Sequence, residues 1–380
     1  VFSSCDYLDK EPDDMLTLDA VFDNADYTKQ WLAGVYNLVP DPLWEYMTYE
    51  GYGYYMMSDE TQMASSLSQF GWSNLMNVQK GSWTPTTIVP GKNLWLETYR
   101  KVRAGLIFME NVKEIPNQRQ TAELVERYKN EVRFLMAYYY SRMLEVYGPF
   151  PLVTSLVDVT ESGDVLQKAR TPYDEIVDYL DNEFMELSKV LPSSYDDVNV
   201  GRPTSGACLA LRARMLMFAA SPLFNSSEPY MPGEAADKRL MWFGSYKPEL
   251  WTQALAAHKA FFDELNKNGQ YGLVYKSDPR QAFRSGYLDR GTGEAIITTH
   301  YGYTVPDYWT WGWSYYETAG DAGTACGTQE LVDMFPMIDG LPITESKLYD
   351  PKHPYEQRDP RLYETVVVNG DKYYGGIAEI

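Results

Sequence analysis

Three tryptophans at alternate positions, Trp309, Trp311 and Trp313, stand in a run that also holds Tyr301, Tyr303, Tyr308, Tyr315 and Tyr316. A flat ring with a polar edge can stack on the apolar face of a sugar, while amides and carboxylates bond the hydroxyl edges. In an extended backbone this alternation sends all three indoles to one side. The inward face of a buried strand would show the same alternation. Gly302, Gly312 and Gly320 favour a loop. A second set, Trp72 and Trp83 with Asn74, Asn77 and Asn93 nearby, offers the same chemistry.

Catalytic signatures are missing from the sequence. It contains no GxSxG, no HExxH and no glycine-rich phosphate loop. With 53 acidic residues, some pair of carboxylates always suits a glycoside hydrolase, so that pairing identifies nothing here. Cys5, Cys208 and Cys326 are far apart, and the three histidines, His258, His300 and His353, form no cluster with them. A zinc site therefore has no basis, and Cys208, in an apolar helical pattern, reads as a buried thiol. Loop acids such as Asp307 and Asp321 leave structural calcium open, but no DxDxDG-type loop supports it. No cofactor is expected. A net charge of -20 argues against nucleic acid, whose phosphates need clustered Lys and Arg. No apolar run is long enough to span a bilayer.

The elements that must carry the aromatic runs are mostly helices. Leu96, Tyr99, Val102, Leu106 and Met109 recur at helical spacing, and Pro116 closes that segment. A second helix carries Val132, Leu135, Met136, Tyr139, Met143 and Val146 and ends at Gly148-Pro149. A third opens at Thr171-Pro172, a cap and then a first-turn proline, with Ile176, Leu180, Phe184, Leu187 and Leu191 as its stripe. Thr204 to Ala220 is almost wholly apolar and should be the most buried. A helix after Pro248 carries Trp251, Leu255, His258, Phe262 and Leu265 on one side, the side an amphipathic helix turns to the core, and an earlier one covers Tyr27, Trp31, Val35 and Leu38. Trp31 and Trp95 fall on helices and read as core or packing residues, and Trp242 and Trp251 read as helix-cap or packing residues. Helices in successive pairs suggest a degenerate solenoid of TPR type without a strict repeat.

Residues 41–93 and 268–326 lack this periodicity and are dense in Gly, Ser, Tyr and Trp. Long irregular stretches of this kind are often functional, and so many aromatics argue against disorder. Ala295–Thr299 is a strand candidate, and Leu362 to Asp371 reads as a strand entering a hairpin turn. The domain reading is a tether over 1–24, a helical scaffold over 25–267 with the aromatic region 41–93 inserted, and a loop-rich portion over 268–380.

Several ordered fragments resemble the SusD/RagB family of nutrient-binding lipoproteins. The strongest is Gly327-Thr328-Gln329-Glu330-Leu331-Val332-Asp333 with Asp339-Gly340 and Arg358-Asp359-Pro360-Arg361. Glu131 to Tyr140 with Tyr147-Gly148-Pro149 and Gly201-Arg202-Pro203-Thr204 follow it. One departure is Gly105, where the family often has asparagine. The resemblance implies a mostly α SusD-like fold: TPR-like helix pairs supporting a loop-rich, partly β portion that binds a glycan. It implies no catalysis and a SusC-like TonB-dependent transporter as partner, with this protein as its lid; RagB-like relatives that handle peptides keep peptide capture open. It draws the ligand residues from the regions of Tyr301, Tyr303, Trp309, Trp311, Trp313 and Tyr315, and of Trp72 and Trp83. Cys5, after small residues and before Asp6, Asp9, Glu11, Asp13 and Asp14, resembles the lipid-modified start of a surface lipoprotein of the outer membrane. Family members carry a closing region past the Arg-Asp-Pro-Arg run, so the resemblance implies a chain continuing past Ile380. The Arg358–Arg361 run and Asp339-Gly340 read as devices that hold the fold.

Overall fold

The computed structural model describes residues 16–37, 39, 58–63, 81, 94–158, 160, 163–196, 198–289, 291–298, 325–373 and 376–377. The chain divides into two compact units, one of Val1–Val39 and Leu94–Asn268, the other of Pro40–Asn93 and Gly269–Ile380.

The first unit is a series of helices: α1 (Leu18–Phe22), α2 (Ala25–Tyr36), α3 (Leu94–Asn111), α4 (Ala122–Tyr147), α5 (Tyr173–Val190), α6 (Ser205–Ala220) and α7 (Glu249–Asn268). From α2 onward each longer helix packs on the next in chain order, and α4 also touches α2 and α6. Side-chain caps fix several starts. Asn24 Oδ1 accepts from the amides of Asp26 and Tyr27, Thr121 from Leu124, and Thr204 from Ala207. Gly148, at φ 65°, ends α4 just before Pro149. Gly105 lets α3 and α4 approach closely, since a Cβ there would lie 3.0 Å from Val132 Cγ1 and 3.1 Å from Met136 Sδ.

Much of the tyrosine load is core. Tyr128, Tyr139, Tyr140 and Tyr173 are among the largest fully buried side chains. Two of these hydroxyls reach carbonyls outside their helix: Tyr139 donates to Val35 at 2.5 Å and Tyr140 to Val153 at 2.7 Å. The half-buried Tyr99 donates to Pro151 at 2.6 Å, and burial pushes its phenol up to about 12. Trp31 donates from Nε1 to Ala104 O at 2.9 Å, Trp242 donates to Ala236 O, and Trp95 sits edge-on to Tyr99 and Tyr147. Glu131, fully buried on α4, accepts from Tyr36 Oη at 2.7 Å and Arg202 at 2.5 Å, with Arg127 Nε 3.4 Å away. That carboxylate joins the end of α2, the middle of α4 and the approach to α6. Cys208 is a buried free thiol.

In the second unit, β1 (Thr61–Met63) pairs antiparallel with β2 (Ala325–Gly327). Helices α8 (Pro279–Leu288), α9 (Gln329–Met334) and α10 (Leu362–Thr365) follow, with a hairpin of β3 (Lys372–Tyr373) and β4 (Gly376–Ile377). Val332, Leu362 and Val368 form a small core against Phe335, Tyr355, Tyr363 and Val366. Arg280 on α8 reaches Glu364 and Asp371, and Arg284 also reaches Glu364, so α8 and α10 are clamped by charge-assisted bonds.

Four local expectations change. Pro172 is the residue before α5, not its first turn, and Thr171 Oγ1 accepts from Leu152 N instead of capping the helix. Ala295–Thr298 forms bends and no strand. Leu362–Thr365 is a single helical turn, because Leu362 N bonds Asp359 O and Val366 N bonds Leu362 O while Leu362 enters the small core; the hairpin comes later, at β3–β4. The largest change is α7. Its buried residues are Leu250, Ala254 and Ala257, whereas Trp251, Leu255 and Phe262 are exposed. Alanines let helices pack closely, and α7 uses them where its larger apolar residues were expected to turn inward.

Candidate ligand-binding site

The Gly-Thr-Gln-Glu segment is where the second unit is tied together. Gly327 ends β2 in a tight place: a Cβ there would lie 3.2 Å from Val366 Cγ2. Thr328 caps α9, its Oγ1 accepting from Leu331 N, and the same hydroxyl donates to Asp59 O at 2.7 Å. Its amide donates to Glu60 O at 2.9 Å. One residue thus starts a helix and fastens the strand beside it.

The register of that strand pair decides what it can position. Thr61 faces Gly327, Gln62 faces Cys326, and Met63 faces Ala325. The chain leaves β1 at Met63 towards Trp72 and Trp83, and enters β2 at Ala325 from Trp309, Trp311 and Trp313. Because the strands are antiparallel, that exit and that entry are paired neighbours. The two aromatic segments are therefore rooted at one end of one ribbon. Trp72, Trp83, Tyr301, Tyr303, Trp309, Trp311, Trp313 and Tyr315 themselves lie outside the described residues, as does Cys5.

Beneath the ribbon's cap, Arg358 is 1% exposed and donates to the carbonyls of Val332, Phe335 and Pro354 at 2.5, 2.7 and 2.9 Å. Asp359 accepts two bonds from the Arg361 guanidinium, at 2.9 and 2.6 Å. Those bonds hold the Asp359 carboxyl below its ordinary value. Gly340, at φ 81°, makes the turn after Asp339, whose carboxylate accepts from Leu341 N and Ser346 Oγ. Arg358 thus ties down the carbonyl end of α9, and Asp339 ties the turn that follows. Among the described residues, no group of three or more His, Cys, Asp or Glu is placed to hold a metal, and no helix is long and apolar enough to cross a membrane.

Sequence reasoning did not find β1. A three-residue strand has no legible period, and its only signal was the position of Met57-Ser58-Asp59-Glu60 ahead of it. The double role of Thr328 was also missed, although a threonine before Gln-Glu resembles a helix cap.

One unit is a serial stack of helices, and the other is built of short strands and short helices. The chain belongs to the SusD family. A family model described as starch-binding associating with outer membrane matches residues 6–217, and the SusD family model matches residues 289–379. Similar solved structures include a SusD-like protein of Bacteroides fragilis, at 20% identity and TM-score 0.67, covering 95% of this chain and 65% of its own. A SusD-like carbohydrate-binding protein of the same species is 18% identical, with TM-score 0.65 and coverage of 94% and 62%. A SusD superfamily protein of Bacteroides vulgatus is 16% identical, with TM-score 0.55 and coverage of 84% and 60%. These likenesses are of fold, and the chain spans less than two thirds of each of these three relatives. No curated protein matches the chain.

Proposed function

We propose that this protein captures a glycan at the cell surface and passes it to a SusC-like TonB-dependent transporter, over which it acts as a lid. It catalyses nothing in this reading, and a lipid on Cys5 holds it to the outer membrane. The observation that carries the proposal is the β1–β2 register, which roots both aromatic segments at one end of a ribbon in a chain of the SusD family. Two aromatic-rich segments that leave the same ribbon end suit a ligand that offers several flat apolar faces in a row, as a polysaccharide does.

The test is retention of the lipid-free protein on a panel of neutral and acidic polysaccharides. A Trp309→Ala/Trp311→Ala/Trp313→Ala triple variant runs beside it. Each stacked ring contributes on the order of 1 kcal/mol, so losing three should weaken retention by about a hundredfold or more with folding unchanged. Retention that survives in the triple variant but fails in Trp72→Ala/Trp83→Ala would move the site to the first segment. Failure on every glycan alongside retention of peptides would replace sugar with peptide as the cargo. Co-purification with the neighbouring barrel tests the partner: a protein that never co-purifies with it is not its lid.

A further inference from the structure

Helix α7 carries two apolar stripes. The inner one, Leu250, Ala254 and Ala257, is buried, and α7 packs on α6. The outer one runs through Trp251, Leu255, His258, Phe262 and Leu265, at steps of four, three, four and three residues. Trp251, Leu255 and His258 each follow a residue of the inner stripe, so the outer stripe lies about 100° around the helix. Trp251, Leu255 and Phe262 are 44%, 71% and 57% exposed, and His258 and Leu265 are half-buried.

That spacing is the seam one helix shows to another. Alternate steps of three and four residues keep a stripe on one side of a helix along its length. The seam runs for about 21 Å, at 1.5 Å per residue.

In a serial stack, a helix's place decides how many stripes it needs. An inner helix meets a neighbour on each side, as α6 does between α5 and α7. An end helix needs one stripe, and its outer face is polar because it meets water. Among the described residues, α7 is the last helix of the first unit in chain order, yet it has the two stripes of an inner one. Large apolar side chains left in a row on the surface mark a contact.

The choice of occupant follows from charge and length. A net charge of -20 opposes the close approach of a second copy. Gly269–Ile380 belongs to the other unit. The solved relatives share this fold, yet the chain spans less than two thirds of each of the three described above. A segment of the same molecule also meets the seam at high effective concentration.

We propose that the outer stripe of α7 seats a further amphipathic helix of this same protein, supplied by a part that follows residue 380. Helix α7 is then an inner helix, and the stack holds at least one more layer. Lysine-directed cross-linking with mass spectrometry tests this on the whole gene product, beside residues 1–380 alone. Lys259, exposed and next to His258, should link to residues beyond 380 in the whole product. Leu255→Cys should react with a maleimide about tenfold or more slowly in the whole product than in residues 1–380. Gln253→Cys, exposed and off the stripe, should react equally in both. Peptide masses read each site separately from Cys5 and Cys326, and circular dichroism establishes that each variant is folded. Fast reaction of Leu255→Cys in both overturns the proposal, as does a gene product that ends at Ile380. Slow reaction already in residues 1–380, with a dimer in sedimentation, overturns it in favour of a second copy. Protection that arises only beside the co-expressed barrel overturns it in favour of the transporter.

Discussion

Arg358 sets a guanidinium on the carbonyl end of α9, and nothing in its sequence context says whether it faces ligand or core. Its burial and three carbonyl partners make it structural. Arg358→Ala should cost about 3 kcal/mol or more, because carbonyls at a helix end lose a charged donor. Arg358→Lys should recover little, since an ammonium lacks the planar fork. Denaturant unfolding measures both. Asp359 carries a pH signature. Its folded-state pKa lies below the ordinary value of about 3.9, so its stabilisation is present above that value and is lost as pH falls through the lowered one. The stability gap between wild type and Asp359→Asn should be full at neutral pH and close as pH falls through the lowered value. A gap independent of pH would show that the Arg361 pairing contributes nothing. The Arg-Asp-Pro-Arg run was legible as a turn lock, but the burial of its first arginine was not, because a lone charged residue carries no burial signal in sequence.

Helix α5 was legible because Ile176, Leu180, Phe184 and Leu187 repeat at helical spacing and are all fully buried. Helix α7 was half legible. Its existence followed from period and length, yet its inward side did not, since Trp251, Leu255 and Phe262 outweigh Ala254 and Ala257 in any hydrophobic tally. The structure turns that ranking round, and mutation can check it. Ala254→Leu should overpack α7 and cost about 1–3 kcal/mol, whereas Leu255→Ser, at a site 71% exposed, should change stability by no more than about 0.5 kcal/mol. Thermal melts of the two variants distinguish the faces, and the reverse order would restore the sequence-based orientation. Strand β1 was not legible at all. Three residues show no periodicity, and only the partner strand more than 260 positions away makes Thr61–Met63 a strand.

Across the whole molecule, the capture reading depends on holding two distant segments at one place. Thr328→Val keeps the shape but removes the hydroxyl that bonds Asp59 O and caps α9. It should cost about 1 kcal/mol of stability and weaken glycan retention measurably, with helix content by circular dichroism unchanged. Undiminished retention would mean that the ribbon does not position the ligand site. The helical unit was readable from one-dimensional periodicity, whereas the second unit is built from short strands, turns and buried charges, whose partners only the folded chain reveals.

The pairing of Thr61 with Gly327 also imposes a timetable on the chain as it is made. The helical unit has all its residues once Asn268 emerges, but the segment Pro40–Asn93 belongs to the unit that needs Gly269–Ile380. Its tryptophans are therefore synthesised early and wait for a strand partner until more than 230 further residues have followed Asn93. Until then this aromatic segment lacks its anchor, so holdase chaperones that cover exposed rings should bind there first.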